Sequence, residues 1–191
     1  MQIIAHRKNT IQELKDTPVE FGVEVDIRSF GKRLIVQHDP FIDAVDFEDW
    51  IKHYRHQTLI LNIKEEGIEG RAKDIAQKHG ISDFFFLDLS FPYLIKLINS
   101  GDKRAAMRFS EYESVETCMA LAGKADWIWI DCFNKMPLTK SVYDRLSKQF
   151  KLCLVSPELQ GRDIEEIKLY RELIQPFRID AVCTKRPDLW Q

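Results

Sequence analysis

The chain alternates short apolar runs with longer stretches in which apolar residues return every three or four positions. The runs fall at 2–5, 23–28, 34–38, 58–64, 83–88, 104–108, 126–131, 151–156 and 179–184. Their length and their content of Val, Ile and Phe predict buried β-strands. Between them, 45–56, 67–79, 90–100, 111–124, 138–149 and 161–175 carry helical spacing and predict helices. In the last of these, Asp163 with Glu166 three residues on marks the expected N-terminus. Pro176 marks the end, because proline has no N–H with which to continue the ladder.

Runs 23–28 and 34–38 are joined only by Ser29-Phe30-Gly31-Lys32-Arg33. That connection is too short for a helix and predicts a hairpin-like pair. From there strand and helix alternate, which predicts parallel strands with right-handed crossovers. About eight repeats of this kind predict a compact, distorted (β/α)8 TIM barrel forming a single domain over residues 1–191. An open doubly wound sheet is the alternative architecture.

The polar residues add a location. In such barrels the active site lies at the carboxyl ends of the strands. Those ends carry His6-Arg7, Glu24, Asp26 and Arg28, His38-Asp39, Asn62 and Lys64 with Glu65-Glu66, Asp88, Arg108, Asp131, Glu158 and Lys185-Arg186. Glu24 and Asp26 are two apart, so a strand sends both side chains to one face. Inside a barrel, two adjacent unpaired carboxylates are costly. Two arrangements relieve the cost: a hard divalent cation such as Mg2+ or Ca2+ bound by the carboxylates, or ion pairs with Arg28, Arg7 or Lys64. His6 and His38 can exchange protons near neutral pH. Arg7 supplies a planar cation suited to a phosphate group. Asp88, Arg108, Asp131 and Glu158 are candidates for shaping a polar substrate pocket. Phe84-Phe85-Phe86 and Trp127-Ile128-Trp129 read as core strands, since aromatic side chains dominate cores.

Composition narrows the partner. A formal net charge of -2 provides no basic field for nucleic acid. No apolar run approaches the ~18 residues that a spanning helix needs, and no amphipathic anchor or signal peptide is evident. A cytoplasmic chain acting on a small molecule, with no membrane insertion, is the expectation. Cys118, Cys132, Cys153 and Cys183 lie far apart without a CxxC pair, which predicts reduced, buried residues rather than a zinc or redox site.

Ile4-Ala5-His6-Arg7, Val23-Glu24-Val25-Asp26 and His38-Asp39-Pro40 resemble, in order and spacing, the opening of the glycerophosphodiester phosphodiesterase family. That family is related to phosphatidylinositol-specific phospholipase C. Thr184-Lys185-Arg186-Pro187 resembles its closing Thr-Asp-x-Pro strand. The resemblance implies a TIM barrel that hydrolyses a soluble phosphodiester, glycerophosphodiester-like or linked to a sugar or nucleotide. It implies His6 and His38 as the general acid and base, Arg7 on the phosphate, and Glu24 and Asp26 as ligands of one divalent cation, Mg2+ or Ca2+.

The chain departs from the pattern in two places. Lys8 stands where the family has a glycine after His-Arg. Leu61-Asn62-Ile63-Lys64 stands where an Ile-Glu-x-Lys strand supplies a further metal-binding glutamate, so Asn62 and Lys64 are expected to point inward and bind substrate. The altered strand leaves open a barrel that binds a phosphorylated ligand without hydrolysing it. The two histidines leave open a sugar-phosphate lyase or isomerase.

Overall fold

A computed structural model describes residues 1–191. The chain forms two compact units, one over Ala5–Ile95 and one over Met1–Ile4 with Lys96–Gln191. It begins with strand β1, Gln2–Ala5, whose last residue opens the first unit.

In the first unit, helix α1 (Ile11–Asp16) is followed by β2 (Gly22–Phe30), β3 (Arg33–Val36), α2 (Phe47–Ile51), β4 (Leu59–Ile63), α3 (Glu69–Lys78) and β5 (Phe84–Leu87). The expected hairpin is present. β2 and β3 pair antiparallel from Ile27↔Val36 to Phe30↔Arg33, and Gly31 turns the chain at φ +60, a conformation in which a side chain would be strained. β2 then pairs parallel with β4, placing Asp26 beside Asn62. β4 pairs parallel with β5, placing Asn62 beside Leu87. The carboxyl ends of β2, β4 and β5 therefore share one edge. Helix α4, Phe91–Asn99, carries the chain into the second unit.

That unit contains β6 (Ala106–Phe109), α5 (Val115–Met119), β7 (Trp127–Ile130), α6 (Lys140–Leu146), β8 (Lys151–Val155), α7 (Glu166–Leu173), β9 (Ala181–Thr184) and α8 (Pro187–Trp190). Its strands lie in the order β1-β9-β8-β7-β6. The pairs β6/β7, β7/β8 and β8/β9 are parallel.

Several helices are shorter than the apolar spacing predicts, and side-chain caps set where α2 and α5 start. Asp46 accepts from the Glu48 N–H at the start of α2, and Ser114 accepts from the Glu116 N–H at the start of α5. Such caps satisfy donors that the first turn leaves unpaired. The expected helix over 161–175 is confined to α7. Residues Pro157–Gln160 form a 3-10 turn closed by Gly161 at φ +72. Asp163 accepts from the Glu165 N–H at 3.0 Å outside the helix, so its role as N-cap is corrected. Helix α1 was not expected, although Thr10 and Glu13 form a capping box at its start.

The core follows the apolar runs. Ile27, Leu59, Phe85 and Phe86 are fully buried, as are Phe47 and Trp50 of α2. Phe84 and Phe86 meet edge to face with ring centroids 5.6 Å apart. All four cysteines are reduced and buried. Trp190 is buried, and its indole N–H donates to Ser156 Oγ at 2.8 Å. No helix is long and apolar enough to cross a membrane.

Phe85→Ala is expected to lower stability by about 3–5 kcal/mol, measured by urea denaturation, because it leaves a cavity in a close-packed strand layer.

Candidate active site

The site is built around β2. Its alternation sends Glu24 and Asp26 to one face, and both are wholly buried. Glu24 Oε2 accepts the backbone N–H of Arg7 at 2.6 Å, and Oε1 accepts from Asn62 Nδ2 at 2.8 Å. Asp26 Oδ2 accepts from Asn9 Nδ2 at 2.8 Å and lies 3.3 Å from Arg7 Nε. Asp26 Oδ1 faces the Lys64 ammonium at 3.3 Å. Lys64 also reaches Asp88 Oδ2 at 3.1 Å. Of the two ways to relieve the carboxylate pair, the structure therefore displays ion pairs with Arg7 and Lys64. Arg28 does not join them: its Nε donates to the His38 carbonyl at 2.7 Å and its Nη1 to the Lys64 carbonyl at 3.2 Å.

The chain end after β1 is bent to make these contacts. Arg7 adopts φ +51, an uncommon conformation for a non-glycine residue. There its N–H meets the Glu24 carboxylate, while the next N–H, of Lys8, donates to the Glu24 carbonyl at 3.0 Å. The Lys8 carbonyl accepts from the buried Trp50 indole at 3.0 Å. Asp88, after β5, has φ +58. Two strand-end residues with a proposed polar role thus hold backbone geometry that costs about 1–3 kcal/mol each, a feature that clusters at functional sites.

His6 Nε2 lies 3.7 Å from Glu24 Oε2, and its side chain is nearly buried. His38 sits on the outer side, with Nδ1 2.8 Å from Asp39 Oδ1. The backbone N–H groups of His38 and Asp39 both donate to Gln37 Oε1. His38 and Arg7 line the same cleft of about 540 Å³, with Asn9, Thr10, Gln37 and Asp39. His6 is outside that lining, beside Glu24. The Arg7 side chain is 39% exposed, so it connects the buried pair with the cleft.

Burial and the neighbouring Asp26 push the Glu24 carboxyl up from 4.5 to about 7, against the opposing hydrogen bonds from Asn62 and Arg7. The Asp39 carboxyl is held below its ordinary range chiefly by its hydrogen bond with His38.

The remaining predicted residues belong to the second unit. Arg108 pairs with Asp131 and approaches Glu113 at 3.6 Å. Buried Asp131 also accepts from Gln160. Glu158 accepts from Thr184 Oγ1 at 2.6 Å and from the Lys185 N–H at 3.0 Å, tying the end of β9 to the turn after β8. In the first unit, Glu66 accepts from Ser90 Oγ and stands apart from the Glu24–Asp26 pair.

Two contributors were not singled out from the sequence. Asn9 both donates to Asp26 and, through Oδ1, accepts the Asp26 N–H at 3.1 Å. Its position two residues after Arg7, in a loop leaving a strand end, was the available signal. Gln37 organises the turn at His38 and carried no signal of its own.

The donor set does not fit the divalent cation that the sequence resemblance implies. Three of the four carboxylate oxygens already accept protein N–H groups, and the fourth faces an ammonium. No cluster of three or more His, Cys, Asp or Glu side chains is arranged to hold an ion. A hard cation needs open carboxylate oxygens among its six or more oxygen ligands, and here Arg7, Asn62, Asn9 and Lys64 stand at those positions.

Asn9→Ala is expected to lower stability by about 1–3 kcal/mol in chemical denaturation, because it leaves a buried carboxylate oxygen short of a donor. The Glu24 shift sets a pH dependence. The folded state keeps a proton that the unfolded chain releases between pH 4.5 and about 7. The associated stabilisation is full below that window and is lost as pH rises through it. Urea denaturation across the window should show stability falling with pH in the wild type, and a flatter profile in Glu24→Gln.

No family model matches the sequence, and no curated protein is significantly similar to it. Solved structures are similar in fold. A glycerophosphodiester phosphodiesterase from Agrobacterium tumefaciens strain C58 superposes with a TM-score of 0.75 at 15% identity, covering 99% of this chain and 98% of that one. One from Parabacteroides distasonis gives 0.66 at 14% identity, covering 98% and 93%. A mutant tryptophan synthase alpha-subunit from Pyrococcus furiosus gives 0.59 at 12% identity, covering 96% and 86%. This likeness over nearly the whole chain shows the fold that the strand and helix alternation predicts, a compact, distorted (β/α)8 barrel of the kind found in glycerophosphodiester phosphodiesterases.

Proposed function

We propose that the chain is a phosphoric diester hydrolase acting on a small soluble phosphodiester, glycerophosphodiester-like or linked to a sugar or nucleotide. The observation that carries this reading is the grouping of His6, Arg7, Glu24, Asp26 and Lys64 at the carboxyl ends of adjoining strands, with His38 sharing the cleft onto which Arg7 opens. The fold likeness to two glycerophosphodiester phosphodiesterases supports it.

In this reading the phosphate enters the cleft beside Arg7. The guanidinium, anchored to Asp26 through Nε, presents its outer N–H groups to two phosphoryl oxygens. One histidine takes the proton of the attacking hydroxyl, from water or from a neighbouring position on the substrate, as the new P–O bond forms. The other delivers a proton to the alcohol oxygen as the old P–O bond breaks. Asp39 orients His38 through Nδ1, and Glu24 lies beside His6. Fixed positive charge at the phosphoryl oxygens stabilises the transition state without reorganisation.

The engagement of the carboxylate pair by protein groups favours one second reading: a barrel that holds a phosphorylated ligand and leaves its ester bonds intact.

Bis(p-nitrophenyl) phosphate and a panel of glycerophosphodiesters separate the two. His6→Ala and His38→Ala are each expected to reduce turnover by about 10²–10⁴-fold, with folding confirmed by circular dichroism. An unchanged rate in both variants would refute the acid/base assignment. Binding of a phosphomonoester without cleavage of any diester in the panel would establish the second reading.

A further inference from the structure

The electrostatic accounting of the Glu24–Asp26 pair points beyond the choice of reaction. Two carboxylates are buried together, and the groups that compensate them are all supplied by the protein. The Arg7 N–H and the Asn62 amide hold Glu24. The Asn9 amide and the Arg7 guanidinium hold Asp26 Oδ2. Lys64 Nζ stands 3.3 Å from Asp26 Oδ1 and 3.1 Å from Asp88 Oδ2. β4 offers no third carboxylate at this level, because its inward residue there is Asn62, which turns its NH2 group toward Glu24. Asn62 Oδ1 is buried with no hydrogen-bond partner, and it is a neutral oxygen where a carboxylate would add charge for a cation.

Resting on the phosphodiesterase reading, we propose that the Lys64 ammonium takes the place of a divalent cation in this site, so that diester cleavage here is independent of metal. Arg7 and Lys64 together supply two positive charges, the same total as Mg2+ or Ca2+, and they flank Asp26 from opposite oxygens. The Lys64 side chain is 15% exposed, so its charge is weakly screened and acts strongly on a phosphoryl oxygen brought against it. Asp88, whose backbone is left-handed, and Asp26 hold it in position. A cation entering beside Asp26 has to displace this ammonium or lie against it, and like-charge repulsion in a buried site opposes both.

The test has two arms, both on the full chain. Mn2+ is titrated at neutral pH and followed by electron paramagnetic resonance and calorimetry. Cleavage of bis(p-nitrophenyl) phosphate is followed in EDTA and again with added Mg2+ or Ca2+. The expected results are no saturable Mn2+ site below the millimolar range and an equal rate in EDTA. Lys64→Met is expected to lose about 10²-fold or more in rate, as for removal of a preorganised charge donor, and no divalent ion should restore it. A single saturable Mn2+ site in the wild type that Glu24→Gln removes would overturn the proposal. So would a rate abolished by EDTA and recovered with Mg2+ or Ca2+. If no diester is cleaved under any condition, the functional reading fails, and the Mn2+ titration still decides whether a cation belongs in the site. The wild-type arms decide the outcome even if Lys64→Met folds poorly.

Discussion

Two carboxylates at alternate positions of a buried strand are tolerated only if donors reach them, and much of the first unit is arranged to supply those donors. Burying an ion costs several kcal/mol after relaxation, and a partner repays that only with good geometry and further hydrogen bonds. Here Glu24 and Asp26 draw on two segments: the loop after β1, through Arg7 and Asn9, and the carboxyl end of β4, through Asn62 and the adjoining Lys64. The desolvation that raises the Glu24 carboxyl shows that the compensation is incomplete. A group poised to hold or release a proton beside His6 is the result.

The same demand explains the strained backbone. Arg7 meets Glu24 with its N–H while in the left-handed region, at φ +51, and its side chain reaches Asp26. One residue thus meets both carboxylates, by main chain and by side chain, and still opens onto the cleft that contains His38. Arg28, on the same strand, has a different use. It clasps the carbonyls of His38 and Lys64, fixing the separation between the outer histidine and the inner ammonium. A binding site set on strand ends and secured in this way is held more rigidly than one carried by loops alone.

The polar strand ends of the second unit illustrate how charge at a strand end can have a structural use. Glu158 collects donors from Ser156, Thr184 and Lys185, and Ser156 in turn accepts from Trp190. Arg108 and Asp131 pair with each other. These contacts link β6 to β7 and β8 to β9 at their carboxyl ends.

Much of the fold was legible in the sequence because its elements have local causes. The apolar runs at Leu59–Ile63 and Phe84–Leu87 are strands because every residue is buried, and the short link through Gly31 can only be a turn. Helix α1 escaped because six residues with Leu14 as the sole buried side chain carry too little periodicity to register. The N-terminus of α7 was misplaced because Asp163 bonds locally to Glu165, an alternative open to any Asp near a helix start. For the site, strand parity by itself determined that Glu24 and Asp26 face one way, and the strand-end positions of His6, Arg7, His38 and Lys64 determined which chemistry was within reach. The tertiary structure decided how the carboxylates are satisfied. Parity acts over two residues, whereas the donors come from 17 residues away at Arg7 and 38 at Asn62, and only the folded barrel settles whether an amide, a guanidinium, an ammonium or a metal ion stands at the end of each oxygen's lone pair.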